Sequence, residues 1–265
     1  IFNRNIKVIY ICDNIIPHER RIGDIFLTKY AFMTVDGGIV QSEAVEKDFT
    51  SLFPDKKYIN TPHPVYTIFG DILPKDEAKK ELKIDDEKII LFFGYIRPYK
   101  GLDILIDAMP EILKKVKVKL VAVGEAYEDE SKYRSQIEKL GLSENVILNT
   151  DYVPNNEVGK YFSAADVVVL PYKSATQSGI VQIAYNFNKP VIATDVGGLA
   201  EVVINEKTGL IVEPDNPKKL AEAVIRFYEE NKESSFVENV IQEKQKYSWD
   251  RMVESIEKLY EIIKK

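Results

Sequence analysis

In Leu91-Phe92-Phe93-Gly94-Tyr95-Ile96-Arg97-Pro98-Tyr99-Lys100-Gly101-Leu102-Asp103 an apolar strand passes through a tight turn into an amphipathic helix. Lys88 to Phe93 reads as a strand whose continuous apolar run suits a parallel sheet buried on both faces. Beyond the turn, Leu102, Leu105, Ile106, Met109, Ile112 and Leu113 recur at helical spacing. The turn carries two glycines, Arg97 and Lys100. Glycine lets backbone approach a ligand closely, and a helix start has unpaired N–H groups with partial positive charge. With two full positive charges added, the turn suits a phosphate or diphosphate. The plainer alternative is a strand–loop–helix junction with two solvated cations.

The same alternation extends in both directions. Upstream, strands over 7–11, 37–40 and 58–60 alternate with helices over 24–35 and 43–52, the first helix carrying Phe26, Leu27, Tyr30 and Ala31 on one face. Thr61 to Pro74 holds three prolines and no periodicity, as an interdomain connector would. Downstream, helices over 75–82, 102–115, 130–140, 155–163, 179–187 and 199–203 interleave with strands over 88–93, 119–123, 145–148, 166–170, 190–193 and 210–212. After Pro217 the pattern is helical to the end. The fold class is therefore α/β with two Rossmann-like lobes and parallel sheets: the later part of one lobe over 1–72, a second lobe over 73–245, and a terminal helix over 246–265.

Composition narrows the function. A length of 265 residues suits two lobes, and 45% apolar with 29% charged residues is ordinary for a globular protein. The net charge of −6 supplies no global basic field for nucleic acid, so an anion site must be local. The single cysteine, Cys12, excludes an intrachain disulfide and a multi-cysteine zinc site, and agrees with a reducing compartment. No apolar run reaches transmembrane length and no signal peptide is visible, which leads us to expect a cytoplasmic protein. Peripheral contact with the inner face of the membrane stays open, since Arg20-Arg21 is too small a basic cluster to argue from, and nothing sets the oligomeric state.

In a doubly wound lobe, ligands bind beyond the carboxyl ends of the strands. Gly94 to Lys100, Gly124-Glu125, Asp151-Tyr152, Pro171 to Gly179 and Asp195 to Glu201 would all face that crevice. No metal is expected, because His18 and His63 are the only histidines and neither has a second ligand three or four residues away. Ser178-Gly179 lacks the preceding glycine of a nucleophile elbow, and no dinucleotide fingerprint is present. What remains is anion binding. Ser174 to Ile180 and Gly197-Gly198 add two further helix starts to the Arg97–Lys100 turn, and a diphosphate fits the three best. His18 is either a polar group of the site or simply the partner of Glu19.

Five segments in order carry a resemblance. They are Phe93 to Asp103, Val121-Ala122-Val123-Gly124-Glu125, Ala164 to Pro171, Lys189 to Val203, and Asn205-Glu206-Lys207-Thr208-Gly209-Leu210-Ile211-Val212. With Asn14 to Glu19 and Pro62-His63-Pro64-Val65-Tyr66, they make the chain similar to a bacterial branch of the family 4 (group 1) retaining glycosyltransferases of the GT-B fold. The resemblance implies a transferase that moves a sugar from a nucleotide-diphosphate sugar to a glycan or lipid-linked acceptor, with no cofactor and no required metal. It implies that Arg97 and Lys100 hold the diphosphate, aided by backbone around Ser178, Gly179 and Ile180. Gly94, Gly124, Glu125, Tyr152 and Val153 would line the nucleoside side, with Glu201 across the crevice. The last helix would cross back to the first lobe.

Two departures stand out. The family's two glutamates, eight residues apart, align with Ala175 and Ile183, which leaves Thr176, Gln177 and Gln182 as the nearest polar substitutes. The family histidine that follows the first strand is replaced by Cys12 and Asp13, leaving His18 displaced as the catalytic candidate. Ordinary lobe size leads us to expect about a hundred residues ahead of Ile1. The alternatives to a transferase are a nucleotide-sugar-binding module without catalysis and a sugar-nucleotide epimerase; against the latter, no histidine lies in the second lobe.

Overall fold

A computed structural model describes residues 6–16, 21–84 and 88–264. Among these residues the strands form two parallel sheets. The first contains β1 (Ile9–Cys12), β2 (Gly37–Val40) and β3 (Lys57–Asn60) in that spatial order, connected by α1 (Asp24–Phe32) and α2 (Glu43–Leu52). Val40 lies opposite both Cys12 and Asn60, so the three carboxyl ends finish level. Ser42 starts α2 with a side-chain cap, its Oγ accepting from the Val45 N–H at 3.2 Å.

The second sheet follows the connector and α3 (Lys75–Glu81). Its elements are β4 (Lys88–Phe93), α4 (Leu102–Leu113), β5 (Val118–Val123), α5 (Ser131–Lys139), β6 (Val146–Asn149), α6 (Asn155–Ala164) and β7 (Val167–Leu170). They continue through α7 (Gly179–Asn186), β8 (Val191–Thr194), α8 (Leu199–Val202) and β9 (Gly209–Val212), and end in α9 (Pro217–Glu229), α10 (Glu233–Glu243) and α11 (Trp249–Ile263). The spatial order is β6-β5-β4-β7-β8-β9. From β4 the chain winds outward to β6 and then returns to the other side of β4. That reversal is the switch point at which doubly wound sheets open a crevice, here between the loops that leave β4 and β7.

Side chains of β4 alternate between two cores. Ile90 and Phe92 join Leu105, Met109, Val224 and Phe227 of α4 and α9. Ile89, Leu91 and Phe93 join Ala78, Phe162 and Val181 of α3, α6 and α7. Helices on both faces are why this strand is apolar at every position from Ile89 to Phe93. Across the first sheet, α11 sets Met252 and Leu259 against Ile39.

The helix expected over 24–35 ends at Phe32, and Phe26, Leu27, Tyr30 and Ala31 are exposed. Phe32 alone of this helix is buried, stacked on Phe53 at 4.4 Å, because β1 is the edge strand and, among the described residues, nothing covers the outer side of α1. The helical tract expected after Pro217 consists of three helices, the last of them, α11, lying where the terminal helix was expected. Asn231 adopts a left-handed conformation (φ +51°) between the first two, and Ser248 caps the third with Oγ on the Arg251 N–H.

Candidate functional site

Two glycine turns form the floor of the crevice. Gly94 after β4 and Gly124 after β5 both have left-handed φ values, +103° and +147°. A Cβ on Gly124 would lie 2.2 Å from the Gly94 carbonyl oxygen, so the two backbones touch where any larger residue would part them. The loops are then stitched together: Ile96 N–H donates to Glu125 O at 2.9 Å and Tyr127 N–H to Ile96 O at 3.2 Å. Of the two side chains on these loops, Glu125 lines a cavity, whereas Arg97 is absent from the walls of both cavities described below. The Arg97 guanidinium lies 4.8 Å over the Tyr127 ring, which meets Tyr95 edge-on at 4.9 Å.

A short 3-10 turn over Pro98–Lys100 folds Lys100 back across Gly94. Lys100 is only 7% exposed, and its Nζ is 3.0 Å from where a Gly94 Cβ would be. Desolvation, followed by repulsion from Arg97, pushes its ammonium down to about 8. The loop after β7 closes over this turn. Lys173 N–H donates to Tyr99 O at 2.7 Å, and Lys173 Nζ pairs with Asp103 at 2.7 Å. That loop ends at Ser178, whose Oγ caps α7 by accepting from Ile180 N–H at 3.3 Å and lies 3.1 Å from the Tyr172 hydroxyl.

Two cavities meet at Lys100 and Ile180. The smaller, about 240 Å³, is bounded by Gly94, Gly124, Glu125, Tyr152 and Val153. The larger, about 420 Å³, is bounded by Gln177, Ser178 and Gly179, with Ala175 and Ile183 also in its wall. Those candidates, with Lys100 and Ile180, are therefore brought together.

The remaining candidates sit elsewhere. Gln182 is 3% exposed, absent from both cavity walls, and its Oε1 has no partner. Glu201 turns toward the first sheet, where its carboxylate accepts from the Glu43 N–H at 2.9 Å at the start of α2. Gln177, although in the wall of the larger cavity, also reaches across, donating from Nε2 to Asp13 O at 3.1 Å. His18 lies outside the described residues, with Pro17, Glu19 and Arg20. Gly197-Gly198 does not open a third anion-poised helix. The helix after it, α8, has four residues, and a Cβ on Gly197 would be 1.8 Å from Ala175 O, so close backbone contact explains that glycine.

The structure adds wall residues that periodicity did not reveal. Tyr66 and Phe69 come from the connector, and Tyr99 and Tyr172 from the two loops at the switch point. For Tyr66 and Phe69 the available signals were aromatic residues in an otherwise aperiodic, proline-rich segment and, for Tyr66, its place in the Pro62–Tyr66 stretch that carries part of the resemblance. Among the described residues, no group of three or more His, Cys, Asp or Glu is placed to hold a metal ion.

Residues 74–247, which contain the whole six-stranded sheet, match the family described as Glycosyl transferases group 1. The chain belongs to this family. A curated relative, the uncharacterized glycosyltransferase MJ1607 of Methanocaldococcus jannaschii, is 34% identical over 241 residues, 84% of this chain and 59% of the relative. The chain spans 47% to 59% of the length of the first curated relatives it matches. Among solved structures, Anabaena HepE in complex with UDP superposes with a TM-score of 0.80 at 21% identity, over 96% of this chain and 72% of that one. Sucrose-phosphate synthase from Thermosynechococcus elongatus gives 0.77 at 24% identity, over 92% and 62%. These likenesses establish the GT-B fold for this group 1 chain. No described helix is long and apolar enough to cross a membrane.

Proposed function

We propose that this chain carries the donor site of a glycosyltransferase that moves a sugar from a nucleotide-diphosphate sugar to a glycan or lipid-linked acceptor. The observation that carries this reading is Lys100, a buried ammonium with an open cavity on either side. The nucleoside enters the smaller cavity, where Glu125 is placed to accept from ribose or base donors. The diphosphate lies against Lys100 and the start of α7, with Arg97 reaching in from beside Tyr127, and the sugar extends into the larger cavity. When the glycosidic C–O bond breaks, negative charge develops on the departing phosphate oxygen. Cationic and dipolar groups already held in place stabilise that charge without reorganising. Lys100, joined by Arg97 if it swings from Tyr127 toward the diphosphate, would supply the positive charge that a divalent ion otherwise brings. The UDP complex of HepE supports the nucleotide class. Retention of configuration is what the family resemblance implies.

A second reading is a nucleotide-sugar-binding module without catalysis. It is favoured by Ala175 and Ile183, which are apolar wall residues where the resemblance implies carboxylates. The two readings part on donor hydrolysis. Incubation with UDP-glucose, GDP-mannose and ADP-glucose in the presence of a chelator should release nucleoside diphosphate from one of them, and Lys100→Ala should abolish the release. Proton NMR of the freed sugar before mutarotation should show the donor's own anomer. Binding without any release would favour the module.

A further inference from the structure

The connector places Tyr66 in the wall of the larger cavity, with His63 behind it as its hydrogen-bond partner. The Tyr66 ring lines that cavity and lies against Gly179: a Cβ there would come within 3.0 Å of the ring and 3.4 Å of the phenolic oxygen. Backbone beside it is tied down from the C-terminal side, with Val65 N–H donating to Tyr247 O at 2.9 Å and Trp249 Nε1 donating to Val65 O at 3.1 Å. Phe69 packs against Tyr66 at 6.1 Å.

The phenolic proton is directed as well as the ring. His63 Nδ1 is 2.7 Å from the Pro64 carbonyl oxygen, which can only accept, so Nδ1 carries the hydrogen. In the neutral ring Nε2 is then an acceptor, and at 2.9 Å it takes the hydrogen bond that the Tyr66 O–H donates. Burial and the charge of Asp13 raise the Tyr66 pKa, which keeps the phenol in the protonated form this arrangement needs. The phenolic oxygen is left with acceptor lone pairs only. A phosphate oxygen, itself an acceptor, gains nothing from them, whereas a sugar hydroxyl can donate to them.

We propose that Tyr66, oriented by His63, receives a hydroxyl of the donor's glycosyl group and so sets the preference for a sugar nucleotide over the bare nucleoside diphosphate. The proposal rests on the donor-site reading above. Tyr66 is a binding residue and His63 a positioning residue that acts through it.

Calorimetric titration of the full chain with UDP, GDP and ADP, and with UDP-glucose, GDP-mannose and ADP-glucose, tests it. Tyr66→Phe should leave the affinity for the recognised nucleoside diphosphate within about two-fold and weaken its sugar nucleotide about five-fold, the cost of one hydrogen bond. His63→Phe should show the same selective loss, and combining the two should add nothing, as expected of a single unit. His63→Gln, whose amide oxygen can take the place of Nε2, should restore the preference. Retained diphosphate binding reports that each variant is folded. Unchanged sugar-nucleotide binding, or equal weakening of both ligands, overturns the role of Tyr66 while leaving the donor site standing. Failure of every nucleotide to bind the parent chain overturns the donor site and this proposal with it.

Discussion

Lys100 holds its ammonium out of water between two cavities, and burial lowers its pKa from 10.5 to about 8. Between pH 8 and 10.5 the unfolded chain binds more protons at this site than the folded one, so this group makes stability rise with pH across that window. Below pH 8 both states are protonated and the full cost, on the order of 3 kcal/mol, is carried. Lys100→Met should therefore stabilise the chain by about 2 kcal/mol in urea unfolding at pH 7, with the gain shrinking above pH 8. The same cost is relieved by an anion. Binding a nucleoside diphosphate at pH 9 should take up a proton and at pH 6 should not, as read from binding enthalpies in buffers of different ionisation heat. Equal uptake at both values would mean that Lys100 does not face the phosphates. Lys100 and Arg97 were legible in the sequence because two cations in a strand-to-helix turn are informative on their own. Tyr66 was not, because its place in the wall depends on a tertiary contact with Gly179.

Asp166 and Gly101 show how single residues hold whole elements in place. Asp166, just before β7, is buried, accepts from Ile89 N–H at 2.5 Å and the Tyr228 hydroxyl at 3.3 Å, and pairs with Lys75. It thus ties β4, β7, α3 and α9 together at the end of the sheet away from the crevice. Asp166→Ala leaves the Ile89 N–H and the Tyr228 hydroxyl without their acceptor, while Lys75 keeps Glu233, and should cost about 2–4 kcal/mol, seen as a lower urea midpoint. Gly101 has φ +69°, and a Cβ there would lie 2.0 Å from Pro171 O. Gly101→Ala should destabilise by about 2–4 kcal/mol and weaken nucleotide binding too, since the 3-10 turn bearing Lys100 ends at this residue. A variant as stable as the parent would show that the loops after β4 and β7 can part without cost. Strands and helices of the second sheet were legible to within a few residues, because their periods of two and about 3.6 are strong and their lengths ordinary. Breaks such as Asn231 were not, since a left-handed residue can end a helix without any proline or glycine to announce it.

Over the whole molecule, alternation alone was enough to read parallel sheets, but not which strands adjoin. The placement of β7 beside β4 joins segments about 75 residues apart and is set by tertiary packing rather than by local pattern. The apolar residues of α1 show the opposite limit. Phe26 is 73% and Met33 75% exposed, and Tyr10 and Ile11 of β1 are exposed as well, so apolar spacing alone does not tell which faces the described residues cover.

The central claim is that the crevice between the loops after β4 and β7 binds a nucleoside diphosphate through Lys100 and Arg97. The most direct test is calorimetric titration of the chain with UDP, GDP and ADP in the presence of a chelator, repeated on Lys100→Ala and Arg97→Ala. One nucleotide should bind selectively, and each substitution should weaken it about tenfold or more, as expected for a charged hydrogen bond to phosphate. Binding that survives both substitutions unchanged, or no binding at all by the parent chain, would contradict it.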